Sequence, residues 1–229
     1  DNLKNGLNFE LGRILNLKNQ KKLIPKKNTL MKITSYVPSD FLDVVLNSLY
    51  EAGAGEIENY SKCSFSAGGE GRYLGGKKSN TKFGNKEELT KTPEIFISLV
   101  FPSYKKKKVI EKLMKSHPYE SVAYEITNID NCNPDLGLGS MGVLPRSMNE
   151  KEFLEYLKNK LPINVVRHSK LMKNKIKIVA VLAGSGAFAI ENAVNNGADA
   201  FVTGDLKYHD FFKDYNKVLL VDAGHFETE

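Results

Sequence analysis

The sequence has few cysteines and no long apolar run, and both absences exclude classes of protein. No window approaches the roughly 18 apolar residues that a membrane-spanning helix requires. The first residues, D-N-L-K-N-G-L-N, lack the basic and then apolar layout of a secretory signal. Cys63 and Cys132 are the only cysteines and have no C-x-x-C spacing, which argues against a disulfide framework and a thiolate zinc site. We therefore expect a soluble, cytoplasmic protein with reduced thiols.

Arginine is also scarce, at 4 of the 33 basic residues, although the net charge is +6. Much of the lysine lies in local runs, such as Lys105 to Lys108 and the segment 173–177. Nucleic-acid-binding proteins typically combine such charge with arginine and stacking aromatic residues, a pattern that this sequence lacks. We therefore do not expect a nucleic-acid or membrane partner, whereas a small anionic substrate is compatible with the excess of lysine.

Residues 32–130 have the element pattern of a separate domain. K-I-T-S-Y-V-P predicts a strand, and the next segment predicts a helix with Ser39 as its N-cap and Gly53 just past its end. E-I-E-N-Y, S-K-C-S-F-S, E-I-F-I-S-L-V-F and V-A-Y-E-I-T predict further strands, with a helix before the last. The glycine-rich segment 67–85 predicts a long loop that is mobile or makes an oligomer contact. The order β-α-β-β-α-β predicts an inserted ferredoxin-like domain.

The flanking segments, 1–31 and 131–229, predict a different architecture. The first contains one short amphipathic helix, in which Leu7, Leu11 and Ile14 recur at helical spacing. The second contains apolar runs that alternate with helices, ending in predicted helices 187–196 and 206–214 and predicted strands 200–203 and 217–222. Strands that alternate with helices favour a largely parallel sheet. We therefore expect an α/β protein whose two outer segments flank the inserted domain.

Three apolar runs near the C-terminus each end in a loop of glycine and polar residues. These loops are Gly184-Ser185-Gly186, Thr203-Gly204-Asp205 and Asp222-Ala223-Gly224-His225. Ligands of open α/β sheets bind beyond the carboxyl ends of the strands. We therefore expect the three loops to lie together on one edge of the sheet.

The first of these loops, G-S-G-A-F-A, allows three interpretations. It matches the dinucleotide fingerprint G-x-G-x-x-A, with Asp205 near the position of a ribose-binding acid. Two glycines at a strand-to-helix turn are also what a tight reversal requires. The following helix N-terminus is suited to an anion. The sequence leaves turn geometry, anion binding and dinucleotide binding open.

The other two loops carry the candidate chemical groups. Asp205 is placed to cap the next helix, or to act with His209, one turn later, in proton transfer or in support of a ligand. His225 and Glu229 are four residues apart, which brings an imidazole and a carboxylate to one helical face. Such a pair is either part of a divalent-ion site or a simple surface pair. His117, followed by Pro118, is interpreted as a structural turn.

Several segments together resemble one family, the dinuclear-metal-centre hexameric proteins that are GTP cyclohydrolase I type 2-like. They are G-S-G-A-F, V-T-G-D-L-K-Y-H-D and D-A-G-H-F-E-T-E. The resemblance extends to G-L-G-S-M-G-V-L-P and to D-x-x-x-x-G-L-N-F-E-L at the start, so it covers essentially the whole chain. It implies two α/β halves around a metal pair, with a PII- or CutA-like domain inserted between them.

The resemblance also implies a set of site residues. His225 and Glu229 match metal ligands, and Asp1 matches the aspartate that ends an H-T-x-L-D motif and bridges the metals. Two divalent ions are implied, and their His and carboxylate ligands suit Zn, Fe or Mn alike. A homohexamer is implied as well. The family's upstream histidine ligands and final helix are not in this sequence, so we expect the chain to be a fragment.

The resulting functional hypothesis is a metal-dependent hydrolase acting on a nucleotide or a phosphorylated small molecule. In this hypothesis His209 and Asp205 are the candidate catalytic residues. Two alternatives stay open at this point. One is a metal-binding oligomeric scaffold or regulator without turnover, and the other is a dinucleotide-binding domain.

Overall fold

The computed structural model describes residues 5–229 and contains two sheets. The chain divides into two compact units. One unit consists of the chain up to Lys26 together with Pro134–Glu229, and the other is Lys27–Asn133. No helix of the described residues is long and apolar enough to cross a membrane.

The element bounds, for the part of the chain that the structure describes, are as follows. The helices are α1 (Leu7–Ile14), α2 (Leu42–Ala52), α3 (Lys106–Ser116), α4 (Glu150–Lys160), α5 (Ile190–Asn195) and α6 (His225–Thr228). Short 3₁₀ turns cover Ser39–Phe41, Ser103–Lys105, Ala187–Ala189 and Tyr208–Asp214. The strands are β1 (Lys18–Pro25), β2 (Leu30–Pro38), β3 (Phe65–Leu74), β4 (Leu89–Pro102), β5 (Tyr124–Asn128), β6 (Gly137–Asn149), β7 (Arg167–His168), β8 (Lys175–Ser185), β9 (Ala200–Gly204) and β10 (Leu219–Asp222).

The first unit is built on a six-stranded sheet in the order β1-β6-β8-β9-β10-β7. Strands β8, β9 and β10 are parallel to one another, whereas β1, β6 and β7 pair antiparallel to their neighbours. The α/β class is confirmed, but the sheet is mixed rather than largely parallel. The ends of β1 and β6 meet where the Lys26 N–H donates to the Leu136 carbonyl at 3.0 Å, so these strands pair like a hairpin and need no crossover helix.

The central strand β8 is apolar because it is covered on both faces of the sheet. Successive side chains of a strand point to opposite faces. Val179 and Val181 pack in one buried cluster with Phe153 of α4, while Ala180 and Leu182 pack in a second cluster. Burial on both faces explains the nearly continuous apolar run in this part of the sequence.

The second unit has the ferredoxin-like fold expected from the sequence. Its elements follow the order β2-α2-β3-β4-α3-β5, and its strands form an antiparallel sheet in the order β3-β4-β2-β5. Apolar side chains of α2, α3 and one sheet face make its core. Gly53 follows α2 with a φ of 89°, as expected, whereas Ser39 begins a 3₁₀ turn and no side chain of the described residues caps α2.

The glycine-rich part of this unit differs from the sequence-based expectation. Residues Phe65–Leu74 form β3, which pairs with β4 along its whole length, so the predicted loop 67–85 is partly a strand. The segment E-I-E-N-Y contains only an isolated bridge between Ile57 and Tyr60. The side chains of β3 are mostly exposed, so its sequence lacks an apolar alternation even though its backbone is paired.

His117 is buried at the end of α3, which confirms that this turn has a structural role. Its Nδ1 lies 3.1 Å from the Tyr119 backbone N–H, which donates to it, and its Nε2 lies 2.9 Å from the Tyr36 carbonyl. The imidazole is therefore neutral with its proton on Nε2, which donates to that carbonyl. Burial is the largest cause that lowers the pKa of His117 below 6.5.

This lowered pKa predicts a pH-dependent stability. Below about pH 6.5 the unfolded chain binds a proton at residue 117 that the folded chain resists, so the free energy of unfolding should fall as the pH decreases. Urea unfolding at several pH values would measure the slope. The variant His117→Gln should reduce it, whereas His168→Gln, at an exposed histidine, should not. Equal slopes for both variants would contradict this assignment.

Candidate metal centre

The candidate site lies at the carboxyl ends of β8, β9 and β10. Ser185 pairs with Gly204, and Thr203 pairs with Asp222, so the three strand ends are adjacent. The expectation that the three loops share one edge of the sheet is therefore confirmed. The helix α6 starts directly after β10 and returns across this edge.

Asp205 and His225 from two of these loops and Glu229 at the end of α6 form the core of the site. His225 Nδ1 lies 2.6 Å from Asp205 Oδ2, and His225 Nε2 lies 3.3 Å from Glu229 Oε2. Each of the three side chains is about half exposed, which leaves room for a ligand. The helical turn of α6 produces the contact between His225 and Glu229, as the spacing of four residues predicts.

The contact with Asp205 determines which ring nitrogen of His225 could face a metal ion. A carboxylate only accepts hydrogen bonds, so Nδ1 carries a proton and donates it to Asp205. This hydrogen bond is the largest cause that raises the pKa of His225 above its ordinary value, and the charge of Glu229 acts in the same direction. Nε2 therefore points toward the Glu229 carboxylate, in the arrangement of a carboxylate–histidine–metal triad.

Gly184 leaves the space in front of these groups open. Its φ is 68°, a conformation that residues with a Cβ rarely adopt. A Cβ at this position would lie 2.7 Å from Glu229 Oε1 and 3.2 Å from His225 Nε2. The glycine is therefore required both by its backbone conformation and by the space that the two side chains occupy.

Two threonines connect the loops around this space. The Thr203 hydroxyl donates to the Gly184 carbonyl at 3.0 Å, and the Gly184 N–H donates to the Thr228 hydroxyl at 3.0 Å. The Thr228 hydroxyl lies 2.8 Å from the Gly224 carbonyl, to which it donates. The position of Gly184 is thus held from β9 on one side and from α6 on the other.

The packing of the loop after β8 accounts for both of its glycines. A Cβ at Gly186 would lie 2.1 Å from the Thr203 hydroxyl oxygen. Gly184 is required by the contacts described above. These contacts favour the turn interpretation of G-S-G-A-F-A over a dinucleotide fingerprint.

Asp222 and Arg167 are site residues whose role the sequence reasoning missed. The buried Asp222 carboxylate accepts the Leu206 N–H and the Gly224 N–H, each at 3.0 Å, and it also contacts the Arg167 guanidinium. Leu206 follows Asp205 and Gly224 precedes His225. Asp222 therefore holds together the two loops that carry the imidazole and its carboxylate partner.

The sequence profile of one family, Duf34/NIF3 (NGG1p interacting factor 3), matches residues 1–229. The chain belongs to this family. A Bacillus subtilis protein named "GTP cyclohydrolase 1 type 2 homolog" is 37% identical over 226 residues, with 96% of this chain and 60% of the relative covered. A protein of the same name from Halalkalibacterium halodurans is 35% identical, with 98% and 61% covered.

Two solved structures agree with the fold. A Bacillus cereus protein related to NIF3 has a TM-score of 0.83 and 34% identity, with 97% of this chain and 60% of that chain covered. A Staphylococcus aureus protein has a TM-score of 0.70 and 27% identity, with 98% and 58% covered. The chain thus spans about three-fifths of the length of these relatives. The family resemblance seen in the sequence motifs is confirmed.

The other predicted site residues of this Duf34/NIF3 chain are Asp205, His209 and Asp1. Asp205 has a φ of 57° and binds His225, while Lys207 is the residue before the next helical turn, so the predicted capping role of Asp205 is wrong. His209 is exposed, and its ring packs edge-on against Tyr208 at 5.3 Å. Asp1 lies outside the described residues. The catalytic roles of Asp205 and His209 stay predictions.

The donors fit one side of a metal site. In the range 5–229, no three His, Cys, Asp or Glu side chains are grouped so that they could hold an ion by themselves. His225 Nε2 and the Glu229 carboxylate supply two donors of the types that divalent transition metals prefer. The Asp205 hydrogen bond orients the imidazole, as the carboxylate partner of a metal-bound histidine does.

Proposed function

We propose that this chain supplies one side of a dinuclear metal centre and that the protein is a metal-dependent hydrolase. The observation that carries the proposal is the position of His225, whose Nδ1 is bound to Asp205 while Nε2 lies beside Glu229. An exposed imidazole has no need of two carboxylate partners for stability, because surface ion pairs contribute about 0–1 kcal/mol. A cation site explains why the carboxylates of Asp205 and Glu229 both contact this imidazole.

The residues that would hold the ions are His225 through Nε2 and Glu229 through its carboxylate. Asp1 is the third proposed ligand. When bound, two divalent ions lower the pKa of a water molecule and polarise a carbonyl, imine or phosphoryl oxygen. Zn, Fe and Mn each suit this donor set.

The chain's own residues would orient the metal-binding imidazole and exchange a proton with the substrate. Asp205 keeps a proton of His225 on Nδ1, so Nε2 is the nitrogen that would face a bound ion. His209, exposed on the 3₁₀ turn after β9, is the proposed acid or base that exchanges a proton with the substrate. The excess of lysine favours an anionic substrate, and the names of the relatives make a nucleotide or a phosphorylated small molecule the proposed class.

One observation favours a second candidate, a metal-binding scaffold or regulator without turnover. A cavity of about 730 Å³ lies within the Lys27–Asn133 unit and is lined by none of the proposed metal ligands among the described residues. A ligand there would be sensed rather than transformed. Self-association into a homohexamer and a cytoplasmic location are retained as further proposals from the family resemblance.

Replacement of His225 by alanine is the test of the proposed site. We expect His225→Ala to lower the affinity for Zn²⁺ or Mn²⁺ by at least about 100-fold, since even outer-shell partners of ligands are worth about 10- to 100-fold. Asp205→Asn, which changes such an outer partner, should lower the metal affinity by about 10- to 100-fold. Isothermal titration calorimetry with the metal salts measures both affinities, and turnover of GTP and phosphate esters is assayed on the same preparations.

His168→Ala is the matched control, because His168 is an exposed histidine of the same unit whose Nδ1 lies 2.7 Å from the Ser169 carbonyl. It should leave affinity and turnover unchanged. Equal metal affinity of wild type and His225→Ala would show that the site is wrongly assigned. Metal binding without turnover of any substrate would favour the scaffold.

A further inference from the structure

Strand β3 lines much of the cavity of the Lys27–Asn133 unit. Gly69 and Gly71 of this strand pair with Glu94 and Thr92 of β4, and both glycines line the cavity. The volume of about 730 Å³ lies within the range of small-molecule sites, roughly 300–1,000 Å³. The metal-centre residues belong to the other unit, so this cavity is a separate feature.

Glu94 is placed so that its carboxylate lies directly over Gly71. A Cβ at Gly71 would lie 2.3 Å from Glu94 Oε2, so only glycine allows this position of the carboxylate. Glu94 Oε1 accepts the Tyr119 hydroxyl at 2.6 Å. Burial, followed by this hydrogen bond, raises the pKa of Tyr119, so the hydroxyl keeps its proton and stays a donor. Within the described residues, Oε2 accepts no hydrogen bond from the protein.

An aromatic pair lies beside this carboxylate on the same face of the sheet. Phe96 is two residues after Glu94 and pairs with Tyr36 of β2, with ring centroids 5.6 Å apart. Tyr36 is 47% exposed although it is a large aromatic residue in the middle of a sheet. Exposed rings of this kind stack with planar π-systems, as in the recognition of nucleobases.

We propose that this cavity binds a planar heterocycle that presents two adjacent N–H donors, as the Watson–Crick edge of guanine does. A carboxylate only accepts hydrogen bonds, so it matches the neighbouring N1–H and N2–H donors of guanine. Adenine instead places the acceptor N1 next to its single amino donor, and this acceptor is repelled by the carboxylate. The base would stack on Phe96 while its donors reach Glu94, and Tyr36, whose ring is tilted by 54° to that of Phe96, would contact its edge. A guanidinium group offers the same two donors, but the cavity is much larger than one guanidinium.

The proposal can be tested by titrating the chain with guanosine, adenosine and arginine in a calorimeter. Guanosine should bind saturably, and adenosine should bind at least about tenfold more weakly. Glu94→Gln should lower the guanosine affinity by about 10- to 100-fold, the value of a hydrogen bond to a charged group. Phe96→Leu should lower it by at least about fivefold, because stacking of one base is worth about 1–3 kcal/mol.

Glu56→Gln is the matched control, since Glu56 is an exposed residue of the same unit that does not line the cavity. It should not change the affinity. Circular dichroism melting of each variant checks folding, and the glutamine at position 94 can still accept the Tyr119 hydroxyl. Tighter binding of arginine than of guanosine would overturn the guanine assignment. Absence of saturable guanosine binding, or an unchanged affinity in a folded Glu94→Gln variant, would overturn it as well.

Discussion

Replacing Gly184 with alanine is expected to weaken metal binding while the protein stays folded. The new Cβ would lie 2.7 Å from Glu229 Oε1, and the carboxylate is the mobile end of a half-exposed side chain. It can therefore move away at little cost in stability, but this movement separates it from His225 Nε2. We expect the affinity for Zn²⁺ or Mn²⁺ to fall by about 10- to 100-fold. Calorimetric titration measures the affinity.

The backbone conformation of Gly184 adds a stability cost that a control must separate from this effect. Alanine in the left-handed region costs about 1–2 kcal/mol. Gly197 has a φ of 74°, and a Cβ there would meet no atom within 4 Å. Gly197→Ala should therefore show the same loss in the free energy of unfolding with unchanged metal affinity. Equal affinities for the two variants would mean that the space in front of Gly184 is not a metal site.

Replacing Asp222 with alanine is expected to cause the largest loss of stability among the site variants. The carboxylate is buried, and without it the N–H groups of Leu206 and Gly224 lose their acceptor. Each buried group without a partner costs about 1–3 kcal/mol, so we expect a loss of about 3 kcal/mol in the free energy of unfolding. The side chain of Arg167 is 60% exposed, so its ion pair adds little. Urea unfolding measures the change.

The same variant should also weaken metal binding, because Asp222 holds the loops of Asp205 and His225 together. Asp199→Ala is the matched control. Its carboxylate also accepts two backbone N–H groups, those of Lys177 at 2.8 Å and Ile178 at 2.7 Å, but these lie at the start of β8. Both variants should lose stability, and only Asp222→Ala should lose metal affinity. A similar loss of affinity in both would assign Asp222 a structural role alone.

The parts of the fold that could be predicted are those whose signal is local. The apolar run of β8, the ferredoxin-like element order and Gly53 after α2 each follow from neighbouring residues. The glycine-rich strand β3 could not be predicted, because its exposed side chains carry no alternation and its pairing with β4 is a backbone interaction between distant segments. The antiparallel pairing of β1 with β6 joins segments that are separated in the sequence by the whole of Lys27–Asn133, and the local pattern contains no signal for it.

The site divides in the same way. By itself, the sequence determined the residue types at the strand ends and the contact of His225 with Glu229, because a spacing of four residues is converted into proximity by one helical turn. Only the tertiary structure decided that Asp205 meets Nδ1 of His225 and that Asp222 joins their loops. Those contacts span 16 to 20 residues. Their distances are set by the parallel register of β9 and β10, which depends on packing across the whole sheet.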